Sequence, residues 1–407
     1  MSKGVSSVFS EIFVNNLFEL SSYACKCEKD TKNMVPGEPP ETTLKMYSLA
    51  DKPIHFSYSD KDGLNLTGAQ GRVMLKNVLG QVLAVKEDDA DSYIQLINKV
   101  GFLLPISFEN YEAVDLKALA EIVNRIKATI KLMNAIDGKD IYEQMRMVHA
   151  MTYLLYRDPV ELNLEGGTYS SCKHEMNSLL HNPIPARDFR GDTEALLDNG
   201  NFLINDSLSK SGKTELSRDL YNQIQMGNSG AIPGQGSSGY RNLFFAYASA
   251  LKSQFDWAQI VDFYINFQNR VGIIDRVDLD KITYYGSGHG FSLSDELKEA
   301  LPKVARMVLS AEINHNIRDI HMQYDGEGLA PRWQIDTLLQ ALYFAIFYMK
   351  PGVKMYKRCL NPNCKRDIFF LTDRTKTNKD YCCVQCRSAA GQQRRRLAKK
   401  AKEETQS

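Results

Sequence analysis

Apolar residues recur at three- and four-residue spacings over long stretches of this chain. In "DLKALAEIVNRIKATIKLMNAI" (115–136), Leu116, Leu119, Ile122, Val123, Ile126, Ile130 and Met133 fall on one face of a helix. "GKD" separates this run from a second one that reaches Leu155, so the pattern predicts an αα-hairpin. Helical periodicity resumes over 244–274 and over 294–319, where Ser294 is a natural cap and Asp295 and Glu296 suit the first turn. A last body helix is predicted from Pro331 to Met349, stopped by Lys350-Pro351-Gly352. At the N-terminus, Val8 to Leu20 also reads as apolar-helical. Residues 51–63 alternate like a strand and end in an Asp62-Gly63 turn. The expected fold class is therefore mainly α, a helical body carrying at most a small β hairpin or sheet.

Punctuation divides the chain. A Pro-rich connector at 34–43 closes an N-terminal segment, 1–50. The Gly- and Ser-rich stretch 225–239 reads as a loop or hinge between a first body region, 51–224, and a second, 240–350. Residues 351–407 form the final region.

Composition changes the picture in one respect. The net charge of +1 is the sum of unlike parts: residues 351–407 hold 15 Lys and Arg against 5 Asp and Glu, while residues 1–350 hold 35 against 44. An acidic body with a basic end region is the pattern of a protein that meets a polyanion with one region only. The best membrane candidate, "IDTLLQALYFAIFYM" at 335–349, is too short to span and contains Asp336 and Gln340. No secretory leader is evident, so a cytoplasmic, reducing location with no membrane partner is expected. Clustered thiols there favour metal binding over disulfides.

Several motifs in the body fall short. "SKSGKT" (209–214) lacks the early glycine of a phosphate-binding loop, since Ser207 occupies that place. Cys25 and Cys27 have no second pair nearby and read as ordinary thiols. Glu312 and His315 stand at i, i+3, one arm of a carboxylate metal site without an identifiable second arm. "CKHE" at 172–175, with His181 beyond it, is an isolated Cys/His grouping, and "YGSGHG" at 285–290 reads as a tight loop. None of these compels an enzyme.

Five of the eight cysteines lie in "CLNPNCKRDIFFLTDRTKTNKDYCCVQC" (359–386). Two short-spaced pairs of thiolates separated by a loop suit one tetrahedral Zn²⁺, which replaces the core that so short a segment cannot build. Cys359 and Cys364 supply the first pair around an Asn361-Pro362-Asn363 turn. Cys386 with either Cys382 or Cys383 supplies the second. An all-cysteine set leaves no open position, so the zinc is structural. "DIFFL" (367–371) is the expected strand, with Phe369 or Phe370 against the knuckle. "RSAAGQQRRRLAKKAKEE" then predicts a helix bearing Arg387, Arg394, Arg395, Arg396, Lys399 and Lys400, cations placed to neutralise phosphates. Gln392 or Gln393 adds a hydrogen-bonding group.

The stretch "KRCLNPNCKRDIFFLTDRTKTNKDYCCVQCRSAAGQQRRR" resembles the bacterial CGNR-type zinc finger, with its Cys-x4-Cys knuckle containing Asn-Pro, its aromatic residue before the third cysteine and its arginine-rich tail. The resemblance implies the ligands Cys359, Cys364, Cys382 and Cys386, leaving Cys383 as alternate, with Tyr381 in the aromatic place. The family's Cys-Gly-Asn-Arg tetrad is here Cys386-Arg387-Ser388-Ala389. The implied function is a nucleic-acid-binding transcriptional regulator, with DNA favoured over RNA, whose body senses a signal or forms a homo-oligomer. The competing expectations are a nucleic-acid-directed enzyme or stress effector with its active site in the body, and a zinc module that docks a protein.

Overall fold

The computed structural model describes residues 18–32, 41–60, 62–68, 71–181, 197–198, 201–205, 208, 213–216, 258–284, 290–325, 330–349, 353–364, 368–376 and 379–404. The stretches 8–17, 225–239 and 244–257, the loop 285–289 and most of "SKSGKT" lie outside them.

The expectation of a mainly α body is overturned. The described residues have a mixed α/β fold, with helices and strands in alternation from the first strand to the last helix. Its described strands form a five-stranded sheet, a three-stranded sheet and four two-stranded ladders. Strands β1 (Phe18–Lys32), β2 (Glu41–Ser59), β3 (Gly63–Thr67), β4 (Val73–Leu75) and β5 (Glu112–Asp115) make the large antiparallel sheet, in the order β1-β2-β3-β4 with β5 on β2. Residues 18–20, expected to close a helix, instead open β1. The turn expected at Asp62-Gly63 is present, with Gly63 at φ 77°, a conformation that costs an L side chain energy.

Helices α1 (Val78–Ala84) and α2 (Ala90–Val100) follow β4, and α3 (Leu116–Ala135) and α4 (Ile141–Tyr156) are the predicted pair. Then come the β6–β7 hairpin (Glu161–Leu164, Gly167–Ser170) and α5 (Glu175–His181), followed by β8, β9 and β10 (Leu197–Asp198, Asn201–Asn205, Lys213–Leu216). Helix α6 (Ala258–Val271), the hairpin β11–β12 (Ile274–Asp278, Lys281–Tyr284) and α7 (Asp295–Ile317) come next. Ser294 caps α7 as expected, its hydroxyl accepting from the Leu297 amide at 3.3 Å. The predicted helix 331–349 is divided: Pro331 to Gln334 belong to the hairpin β13–β14 (His321–Asp325, Ala330–Gln334), and α8 runs only over Leu338–Tyr348. A capping box sets that start, Thr337 and Gln340 each satisfying the other's backbone N–H. The chain ends in the hairpin β15–β16 (Lys354–Arg358, Phe369–Asp373) and helix α9 (Val384–Glu404).

These elements pack as two compact units. The first comprises residues 1–130, 160–171 and 313–407, and the second residues 131–159 and 172–312. In the first, the large sheet buries Leu44, Met46, Phe56, Tyr58, Leu64 and Leu66. Each such side chain contributes about 1.5–3 kcal/mol relative to exposure. Helix α8, the apolar run considered as a membrane candidate, packs on β1 and β3. Phe18 stacks on Tyr58 with centroids 5.0 Å apart and meets Phe344 at 4.9 Å. Among the described residues no helix is long and apolar enough to cross a membrane. In the second unit, α6 buries Val261, Phe263, Tyr264 and Phe267, and the Tyr264 hydroxyl meets that of Thr152 at 2.9 Å.

Candidate metal centre

The C-terminal hairpin is fastened to the first unit by a backbone contact that only a small residue permits. Strand β16 lies over α1, where a Cβ added at Gly80 would stand 2.4 Å from the Phe369 carbonyl. Beside it, the buried Asn77 amide donates to that same carbonyl at 2.8 Å, while its side-chain oxygen caps α1 by accepting from Gly80 N–H at 3.0 Å. Lys354, opposite Asp373 in the ladder, reaches back to the Asp60 carbonyl. The four-cysteine module is thus held against α1.

Within the module, local turns bring the sulfurs together. Asn361 makes an Asx turn, its side-chain oxygen accepting from Asn363 N–H at 3.2 Å, and its carbonyl accepts from Cys364 N–H at 3.0 Å. Cys359 is tied to the strand side through its N–H, which donates to Ile368 O at 2.7 Å. Leu360 N–H donates to Asp380 O at 2.9 Å, drawing in the segment that carries the second pair. Phe370, rather than Phe369, is the buried aromatic against Cys359 and Cys386, with Tyr381 packed on the same cluster.

Cys359, Cys364, Cys382 and Cys386 form one group whose sulfurs lie within 4.8 Å of one another. The Cys364–Cys382, Cys382–Cys386 and Cys386–Cys364 separations are 3.7, 3.5 and 3.7 Å. Four sulfurs at about 2.3 Å from a tetrahedral Zn²⁺ would stand about 3.8 Å apart, so the cage has the right size. Cys382 rather than Cys383 belongs to the group, and the Cys383 sulfur flanks it at 3.8 Å from that of Cys382.

The thiols of the group shift in different directions. Burial opposes ionisation of Cys359, but backbone N–H groups of Cys382 and Asn361 and the neighbouring thiols outweigh it and hold this thiol below its ordinary value. Cys382 is pushed up, first by burial and then by the surrounding thiols. At Cys386 the Asn361 side chain favours the thiolate, yet burial and the Cys364 and Cys383 thiols carry the balance upward. With Cys382 and Cys386 shifted up, the group is not fully ionised by itself, and a bound cation would displace those protons, as at a structural metal site.

Helix α9 begins at Val384, so Cys386 sits in its first turn, where the helix dipole favours a thiolate. Arg387, Gln392, Arg395 and Arg396 are exposed along it. Arg394 is held by the Tyr381 hydroxyl, which accepts from its guanidinium at 3.1 Å. Lys399 and Lys400 lie on α9, but their side chains are outside the described residues. Lys376, Lys379, Tyr381 and Arg387 line an open cleft of about 630 Å³ beside the cysteines. Lys376 and Lys379 are functional candidates outside both the cysteine spacing and the basic helix. Their signal was two cations flanking the knuckle in "TKTNKD".

In the body, Cys25 and Cys27 are buried in the sheet. Burial raises both thiols, Cys27 to about 12, which leaves them protonated and inert. His315 does not join Glu312 in a metal arm: its Nε2–H donates to Ser170 O at 2.7 Å. The His181 side chain is outside the described residues.

No protein-family model, no curated protein and no solved structure matches this chain. The likeness of residues 357–396 to the CGNR-type finger therefore rests on the short motif alone. What stands is the coarser statement: four cysteines form a cluster fit for a structural metal ion.

Proposed function

We propose that the protein binds nucleic acid through its C-terminal module, with a structural Zn²⁺ orienting α9 and DNA preferred to RNA as target. The observation that carries this reading is the continuity of the cysteine cage with an exposed cationic helix. Cys386 is both cage member and first-turn residue, and Arg387 follows it directly. A 21-residue helix extends about 31 Å, enough to follow several phosphates. The cleft supports the same reading, since Lys379 and Arg387 offer charge to a phosphate and Tyr381 offers a ring, while Lys376 beside them is paired with Asp373 at 2.6 Å. A role in transcription belongs to this proposal as the use to which such binding is put.

The test is fluorescence anisotropy of the full chain with labelled duplex DNA and with RNA of matched length, both recovered afterwards and sized. We expect tighter retention of the duplex DNA, affinity falling steeply with salt, and intact strands. Absence of binding to either at low salt would refute the proposal. Shortened strands would replace it with a nucleic-acid-directed enzyme.

A further inference from the structure

The second unit contains a group of metal-ligating side chains that neither the C-terminal module nor the proposed function uses. Cys172 and His174 lie on the segment leading into α5, and Glu312 lies on α7, 138 residues beyond His174. Their ligand atoms lie within 4.8 Å of one another, and all three residues are buried, Glu312 completely. We propose that Cys172, His174 and Glu312 bind a second transition-metal ion, Zn²⁺ by the character of the donors.

The His174–Glu312 distance fits a shared metal ion as well as an ion pair. His174 Nε2 and Glu312 Oε2 are 3.4 Å apart, longer than the ~2.7–3.2 Å of a well-formed N–H···O bond. A nitrogen and an oxygen each bound at about 2.05 Å to a tetrahedral zinc would be about 3.3 Å apart. A His–Glu pair by itself would also need no sulfur, yet the Cys172 thiol is in the same group, 3.7 Å from the Ala311 carbonyl in the turn of α7 that carries Glu312.

Charge supports the same assignment. A thiolate and a carboxylate balance a dication, so the complete site is neutral, the condition under which a buried polar group is tolerated. Binding releases the Cys172 proton to solvent, while His174 coordinates as neutral imidazole. One thiolate, one imidazole and one carboxylate form a mixed donor set that suits zinc. Three protein ligands leave the fourth position to water or another small donor, which distinguishes this site from the closed four-cysteine cage. The two sites have opposite kinds of ligand pattern: the cage is local in sequence, and the second depends on a contact across the fold.

The full chain, stripped with chelator and reloaded with Zn²⁺, is assayed for bound metal per chain, and loading with Co²⁺ is followed by absorption. We expect two equivalents in the wild type. Co²⁺ loading should show two phases, one with the strong sulfur-to-cobalt band of four thiolates and one with the weaker band of a single thiolate. Cys172→Ser, His174→Asn and Glu312→Gln should each fall to one equivalent and keep the strong band. The wild-type titration needs no variant to fold, so it decides even if the buried substitutions are insoluble. One equivalent in the wild type, abolished by Cys364→Ser, would overturn this second site and leave the cage standing. One equivalent lost only on substitution of Cys172, His174 or Glu312 would instead condemn the cage.

Discussion

Replacing Cys364 by Ser should cost the chain one metal equivalent and unfold the C-terminal module while the rest of the first unit remains folded. The module's buried cluster is little more than Cys359, Phe370 and Cys386, too small to hold a hairpin and the first turn of a helix together. The ion supplies the missing cohesion, and structural zinc contributes on the order of 10 kcal/mol in comparable modules. Serine preserves size but offers a hydroxyl of high pKa in place of a soft thiolate, leaving three ligands and an unfilled position. Two readouts should move together: metal content by elemental analysis, and helical ellipticity, because α9 starts inside the cage. Cys383→Ser should leave both nearly unchanged.

The second large effect is expected on the exposed cations. Substituting Arg387, Arg395 and Arg396 together by Gln removes three charges without touching the sulfurs. If each meets a phosphate, the slope of log affinity against log salt should shrink by about 2.7, and affinity at ~0.15 M salt should fall on the order of a hundredfold. The loss should be similar across sequences, because phosphate contacts position a protein without reading bases. Arg394 is set apart from this group, since Tyr381 already holds it. The check is anisotropy over a salt series, with metal content measured on the same samples to show that the cage is intact.

The parts of the structure that could be read from sequence are those whose determinants are local. Cys359, Cys364, Cys382 and Cys386 fall within 28 residues, and the turn at Asn361 is written beside them. Helices α3 and α4 were legible because their apolar faces repeat over several turns. Strand β1 was not, for a physical reason. Its buried residues are Phe18 and Leu20 before a bulge at Tyr23/Cys25, then Cys25 and Cys27 after it. The bulge shifts the two-residue period by one and erases the alternation that marks a strand. Strand β2 was half legible: residues 51–59 alternate as a strand should, whereas its start at Glu41 follows directly on a Pro-rich run and Ser48 takes a buried position, so its first half carries no strand signal. Thr337 and Gln340 had the spacing of a capping box, a local signal that would have moved the start of α8 past Pro331. The approach of His174 to Glu312 had no local signal at all, since it exists only once α7 has packed.

The cage and the cationic helix matter to function only if one depends on the other. The most direct measurement is the affinity of one preparation of the full chain for duplex DNA before chelation, after chelation, and after Zn²⁺ is restored. Binding should weaken sharply on stripping and recover on reloading, in step with α9 helicity. Equal affinity in all three states would contradict that dependence.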